Sequence, residues 1–236
     1  MDPAALTTPL EGQIAEFEKF VSALTVGDPS LNITQPEERK KTHRAAQRVT
    51  DAWAPVKVAA ASIADGNGQA ADTDSILVDN LEILEHGHNF TAELVQQYAN
   101  PAESTLADLF TIVLATRQGM LSQKMSKESC MVSYSGASTK KLGETMSVFE
   151  NTLYALRDGM PAAGLEAAPT EEIAEGLNKA LEQWSAVRPL LQEIESGADV
   201  TAAHHADKMR QLDGIKRQML DVSTMYVDYM KKKRSS

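Results

Sequence analysis

Apolar residues recur every three to four positions through almost the whole of this chain, and Gly, Pro and Asp gather where that rhythm breaks. The period predicts helices over 9–26, 36–65, 70–99, 102–135, 138–158, 170–196 and 200–232. Helices near 30 residues long reach about 45 Å. Joined by short loops, they form up-down antiparallel bundles. Asn100-Pro101 reads as a C-cap followed by a proline at the first helical position, so the third and fourth helices are expected to run almost end to end.

The pattern occurs twice. Leu10, Phe17, Glu18, Leu24 and Gly27 match Leu142, Phe149, Glu150, Leu156 and Gly159 at an offset of 132. After a loop of unequal length the offset becomes 131. It then pairs Trp53, Val56, Lys57, Ile63, Gly66, Leu81 and Tyr98 with Trp184, Val187, Arg188, Ile194, Gly197, Leu212 and Tyr229. Both of the chain's two tryptophans fall inside this collinear match, which marks an internal repeat. Segment 102–135 precedes the second copy and has no counterpart in the first. A first copy built alike needs about 35 residues ahead of Met1, so the chain is expected to begin inside its first repeat. The expected fold is all-α: tandem elongated antiparallel bundles of the four-helix type. Residues 1–100 form a three-helix first unit lacking its N-terminal helix, and 101–236 a four-helix second unit. The first unit's open apolar face calls for a cover, such as a second chain.

Composition agrees with helices. Hydrophobic residues make up 42% of the chain and are rich in Ala, Leu and Met, while aromatics are few. A net charge of −10 argues against nucleic acid or an anionic membrane surface as partner. The basic run at 231–234 suits a solvated helix C-terminus facing the helix dipole. No stretch reaches the roughly 18 apolar residues of a membrane span. A single cysteine, Cys130, excludes an internal disulfide.

The unpaired helix carries the most information. Leu106, Phe110, Leu114, Leu121, Met125 and Val132 predict one apolar stripe, and Arg117, Lys124 and Glu128 fall on the same stripe. Charges in a bundle seam are costly unless paired or bound. Lys124 and Glu128, four apart, can form an ion pair while Arg117 reaches a helix end; alternatively the three mark a site for an anion or polar ligand. The opposite face carries Ala115, Gly119, Ser122, Ser126 and Ser133, a small-residue row that permits close helix packing or partner docking, or simply faces solvent. Met120, Met125 and Met131 suit either an adaptable pocket or ordinary core.

Catalytic and metal constellations are weak. Glu85 and His88 give one E-x-x-H spacing, but a di-metal bundle needs a second, and the matched place reads Lys216 to Met219. His204 and His205 are adjacent and point to different sides of a helix. No nucleophile elbow, phosphate-cradling glycine loop or C-x-x-C is present, and Cys130 has no histidine nearby in sequence. No enzyme, metal or cofactor is expected.

The stretch RQGMLSQKMSKE at 117–128 resembles the RQRMLSQ-type signature of the PilJ family, the N-terminal domain of type IV pilus methyl-accepting chemotaxis transducers. The Phe149 to Gly159 stretch, Pro169-Thr170-Glu171, Trp184 and Pro189 fit the same resemblance, which covers about 102–232 and, as a second copy, 10–99. It implies a bacterial, periplasmic, non-enzymatic helical sensor domain without cofactors, related to modules that bind nitrate or nitrite between protomers through an arginine of this motif. Carried onto this chain, Arg117, Gln118, Met120, Leu121, Ser122 and Gln123 match, whereas Gly119 stands where the family commonly has a second arginine. The implied ligand residues are Arg117, Gln118, Gln123 and Lys124, taking a small anion or polar molecule. Ala115, Gly119, Ser122 and Ser126 are the expected packing or partner interface. Implied partners are a signalling protein or a second copy. The alternative reading is a ligand-free scaffold that docks a partner through the small-residue face.

Overall fold

The computed structural model describes residues 4–31, 33–98, 106–198 and 200–234. They form seven α-helices: α1 (Ala4–Val26), α2 (Lys40–Ala64), α3 (Ala70–Tyr98), α4 (Leu106–Ser135), α5 (Lys140–Asp158), α6 (Glu171–Glu195) and α7 (Ala202–Arg234). The fold is all-α, and no strand occurs among the described residues. Each helix lies within a few residues of its predicted span. The largest departure at a described side chain is at α2, which starts at Lys40 rather than at 36. There the Glu37 amide donates to the Thr25 carbonyl at 3.0 Å, and the Glu37 carboxylate accepts the Arg39 amide at 2.8 Å. These bonds tie the chain back to the end of α1 and keep 36–39 extended. The Asn100-Pro101 junction lies outside the described residues.

The chain divides into two units, Met1–Ala99 and Asn100–Ser236. In the second, α4 packs on α5 and α7, and α6 packs on the same two, so four helices close around one core. α4 and α7 are antiparallel: Gln123 meets Leu212 while Asp108 pairs with Lys233 at 3.6 Å. Phe149, Leu177, Trp184, Leu212, Ile215 and Met219 are sealed in the middle. Thr170 opens α6 by accepting the Ile173 amide at 3.2 Å, which satisfies one of the unpaired donors of a helix start. Tyr226 donates its hydroxyl to the Leu156 carbonyl at 3.2 Å, and burial pushes its phenol up to about 12.

Met1–Ala99 has three helices and repeats several contacts of the second unit. The Phe17 and Trp53 rings lie 4.4 Å apart at 43°, and Phe149 and Trp184 4.9 Å apart at 53°. Trp53 donates to Glu18 at 3.4 Å and Trp184 to Glu150 at 3.2 Å. The same carboxylates pair with Lys57 at 2.5 Å and Arg188 at 3.0 Å. After α1, and after its match α5, the chain makes a short 3-10 turn closed by an isolated bridge, Asp28 with Ile33 and Met160 with Leu165. Gly159, with φ of +83°, and its match Gly27, with φ of +85°, begin these turns in a conformation that a side chain would strain. Glu37 bonds Thr25 as Ala168 bonds Arg157, so the offset changes from 132 to 131 between these points. Three residues, 34–36, stand where the second unit has two, 166–167.

The units differ in how completely they close. The core of Met1–Ala99 centres on Ala46, Val49 and Phe90, with Phe17, Val21 and Leu24 only partly buried against it. α3 turns Phe90 onto α2, whereas the matched Asp221 of α7 faces solvent.

Candidate functional site

The motif helix α4 is amphipathic in an unexpected sense. Its buried residues are Ala115, Gln118, Gly119, Leu121, Ser122, Met125, Glu128 and Ser129, most of them small or polar. Phe110, expected on the apolar stripe, is exposed, and the Leu106 side chain lies outside the described ones. Leu121 and Met125 are buried as expected, with Leu114 and Val132 partly so. The reason is close approach. A Cβ placed on Gly119 would stand 3.5 Å from the Lys216 carbonyl oxygen, so α7 leaves room only for small side chains there. Ser122 satisfies its hydroxyl within the helix, donating to the Gly119 carbonyl at 2.8 Å, and Ser129 does the same to Ser126. The row of Ala115, Gly119 and Ser122 is therefore taken up inside the unit, with Ser126 half-buried beside it.

The four residues expected to hold a ligand do not converge. Arg117 is exposed, which corrects the expectation of a charge within the seam, because at 100° per residue it points away from its buried neighbour. Gln118 is fully buried, and neither its amide nitrogen nor its amide oxygen has a partner. Gln123 is exposed and donates to the Leu212 carbonyl at 3.5 Å. Lys124 pairs with Glu128 at 3.6 Å across one helical turn, and Glu128 is buried with its second oxygen unpartnered.

One turn further, the fold assembles a cluster that sequence reading missed. Lys208 of α7 is fully buried and donates to Cys130 Sγ at 3.6 Å, with His205 Nδ1 at 3.0 Å. Burial holds Lys208 below the usual lysine range, and burial followed by the Lys208 charge holds His205 below the usual histidine range. With Nδ1 accepting from Lys208, the His205 proton sits on Nε2, which is buried without a partner. Tyr134 lies against the His205 ring at 5.1 Å. Cys130 thus does have a histidine near it, brought from 75 residues away by the antiparallel pairing of α4 and α7. Sequence gave only one hint, that His205 and Lys208 are three apart on one helical face. The Glu85 and His88 pair joins no such cluster, and no group of three or more metal-ligating side chains occurs among the described residues.

Residues 104–209, spanning α4 to the early turns of α7, match the family model of the type IV pili methyl-accepting chemotaxis transducer N-terminal domain, PilJ. The match covers this segment and not the first unit. No curated protein and no solved structure matches the chain. The PilJ domain places this segment among the sensing and signalling modules of bacterial chemotaxis transducers. No helix among the described residues is long and apolar enough to cross a membrane.

Proposed function

We propose that the PilJ domain is a non-enzymatic sensor for a small polar ligand or anion, nitrate and nitrite first among the candidates, and that it signals by displacing α4 against α7. The observation that carries this reading is Gln118. A buried amide without partners costs roughly 1–3 kcal/mol, a penalty that an apolar residue of similar size avoids. It sits in the family motif, on the face that α4 turns into its own bundle. An anion entering beside Gln118 accepts from its amide nitrogen, and a ligand that also carries a donor satisfies its amide oxygen. Arg117, exposed one position away, draws an anion from solvent, and Gln123 and Lys124 lie one to two turns along the helix. The signal is bounded by the ligand's preference for one helix packing over the other.

In the same reading Met1–Ala99 is a second PilJ-type repeat and the module works in the periplasm, as the resemblance implies. A reporter fusion active only outside the cytoplasm tests that location. The scaffold alternative, docking a partner through the small-residue face, draws less support because Ala115, Gly119 and Ser122 are covered by α7. A thermal-shift screen with nitrate, nitrite, other small anions and amino acids tests the sensor. The expected result is a concentration-dependent rise in Tm that Gln118→Leu abolishes and Arg117→Ala weakens. A folded wild-type chain that responds to none of these compounds sinks the ligand reading.

A further inference from the structure

Lys208 is 0% exposed, and among the described residues its Nζ meets Cys130 Sγ at 3.6 Å and His205 Nδ1 at 3.0 Å, neither of them a carboxylate. A buried cation needs an opposite charge, so this setting favours the neutral amine, and burial holds Lys208 below the usual lysine range. An amine without its extra proton is a nucleophile. Its neighbour complements it. Cys130 is partly exposed, so a small oxidant reaches the sulfur from solvent while the amine stays sealed in the bundle. His205, 4% exposed, keeps an Nε2–H that no acceptor fills, a spare donor in the same cluster for an oxygen arriving at the sulfur. Cys130 is also the chain's one cysteine, so its oxidised form finds no thiol of its own chain with which to close a disulfide.

We propose that Cys130 and Lys208 form a peroxide-driven redox site, in which the lysine amine captures the oxidised cysteine and ties α4 to α7 through a sulfur–nitrogen bond. The Cys130 thiol gives its proton to the Lys208 amine, and the thiolate attacks hydrogen peroxide, breaking the O–O bond to form Cys130 sulfenic acid. The leaving hydroxide takes the proton back from Lys208 and departs as water. The neutral Nζ then attacks the sulfenic sulfur, the S–O bond breaks, and the released hydroxide takes one amine proton to leave as a second water. In sum, one thiol, one amine and one peroxide give a sulfenamide and two waters, with peroxide reduced and sulfur oxidised by two electrons. His205 Nδ1 accepts an Nζ proton at 3.0 Å and holds the amine beside the sulfur. The flexible lysine stem carries Nζ from 3.6 Å to bonding distance. The bond joins the two helices whose relative displacement carries the signal proposed above, but its formation does not rest on that reading.

The test uses the full chain, reduced, exposed to a slight excess of hydrogen peroxide, quenched with catalase and mapped by tryptic peptide mass spectrometry. Peptide mapping is needed because the chain's 10 methionines also take up oxygen. The expected product is a linked peptide carrying Cys130 and Lys208, about 2 Da lighter than its two halves together. Dithiothreitol should release both halves, since a thiol reduces the sulfur–nitrogen bond. Lys208→Met, of similar length but unable to react, is expected to lose the linked peptide and to carry Cys130 on to sulfinic acid; circular dichroism checks its fold. Should that variant not fold, peroxide treatment of the wild-type chain in concentrated urea takes its place, and there the parted helices should give no link. The proposal is overturned if Cys130 of the folded wild-type chain stays a thiol under peroxide. It is equally overturned if Cys130 passes to sulfinic acid or to a disulfide between two chains with Lys208 unmodified. A link that forms as readily in urea would owe nothing to the fold and overturn it as well.

Discussion

The indole of Trp184 donates to Glu150 at 3.2 Å while its ring lies against Phe149, and the same three-residue arrangement recurs around Trp53. The copies differ in burial: Trp184 is sealed, Trp53 half-buried. Trp184→Ala should cost about 3–5 kcal/mol, as for other large aromatic truncations in a core. Trp53→Ala should cost roughly half of that, since less apolar area returns to water. Urea unfolding of each variant, followed by far-ultraviolet circular dichroism, measures both. Equal losses would mean that the first unit is closed by something in solution.

Gly119 decides how near α7 can come. An added methyl meets Lys216 at ordinary contact distance, 3.5 Å to oxygen and 3.6 Å to Cγ, so Gly119→Ala should be tolerated. It should stabilise the helix by up to about 1 kcal/mol. Gly119→Arg, the residue common in the family at this place, cannot fit the same crossing and should destabilise by roughly 1–3 kcal/mol. Thermal unfolding separates the two. An arginine variant as stable as wild type would show that α4 and α7 can part without loss.

Gln118→Leu should raise stability by about 1–3 kcal/mol, because an orphaned buried amide is replaced by an apolar group of similar size. A gain in stability at the cost of ligand response is the signature of a residue kept for function. Denaturant midpoints of the two proteins, without added ligand, supply the check. A destabilised leucine variant would mean that Gln118 is satisfied in solution.

The helices and the duplication were legible because both rest on periodic patterns: position of apolar residues, glycine after α1 and after α5, and paired tryptophans. The faces were harder to read. In α4, apolar residues are spread around the helix, so Phe110 looked like core although it is exposed, and nothing in the spacing told that Gln118, a ligand residue by resemblance, is buried. Which face goes inside is set by how closely α7 approaches, a tertiary fact that no spacing within α4 contains. The Cys130, Lys208 and His205 cluster was hidden for the same reason, since its members come from two antiparallel helices. Leu81 shows the converse, with its match to Leu212 plain in the sequence but its exposure evident only in the fold.

That buried cluster makes the second unit sensitive to acid. His205 is held below its ordinary value of 6.5, first by burial and then by the charges of Lys208 and His204, with Cys130 and Tyr134 of α4 also around it. A base depressed in the folded state is protonated first in the unfolded chain. As pH falls through 6.5, the unfolded chain takes up a proton that the folded chain refuses, and stability drops; above that range the contribution is fully present. Lys208, also depressed, acts with the same sign at alkaline pH, adding stability as pH rises toward its ordinary value of 10.5. His205→Gln removes the acid component and keeps an acceptor for Lys208. Urea titrations between about pH 5.5 and 7.5, read from Trp184, should show wild-type stability declining toward acid and the variant nearly flat. Parallel slopes would place the titrating group elsewhere.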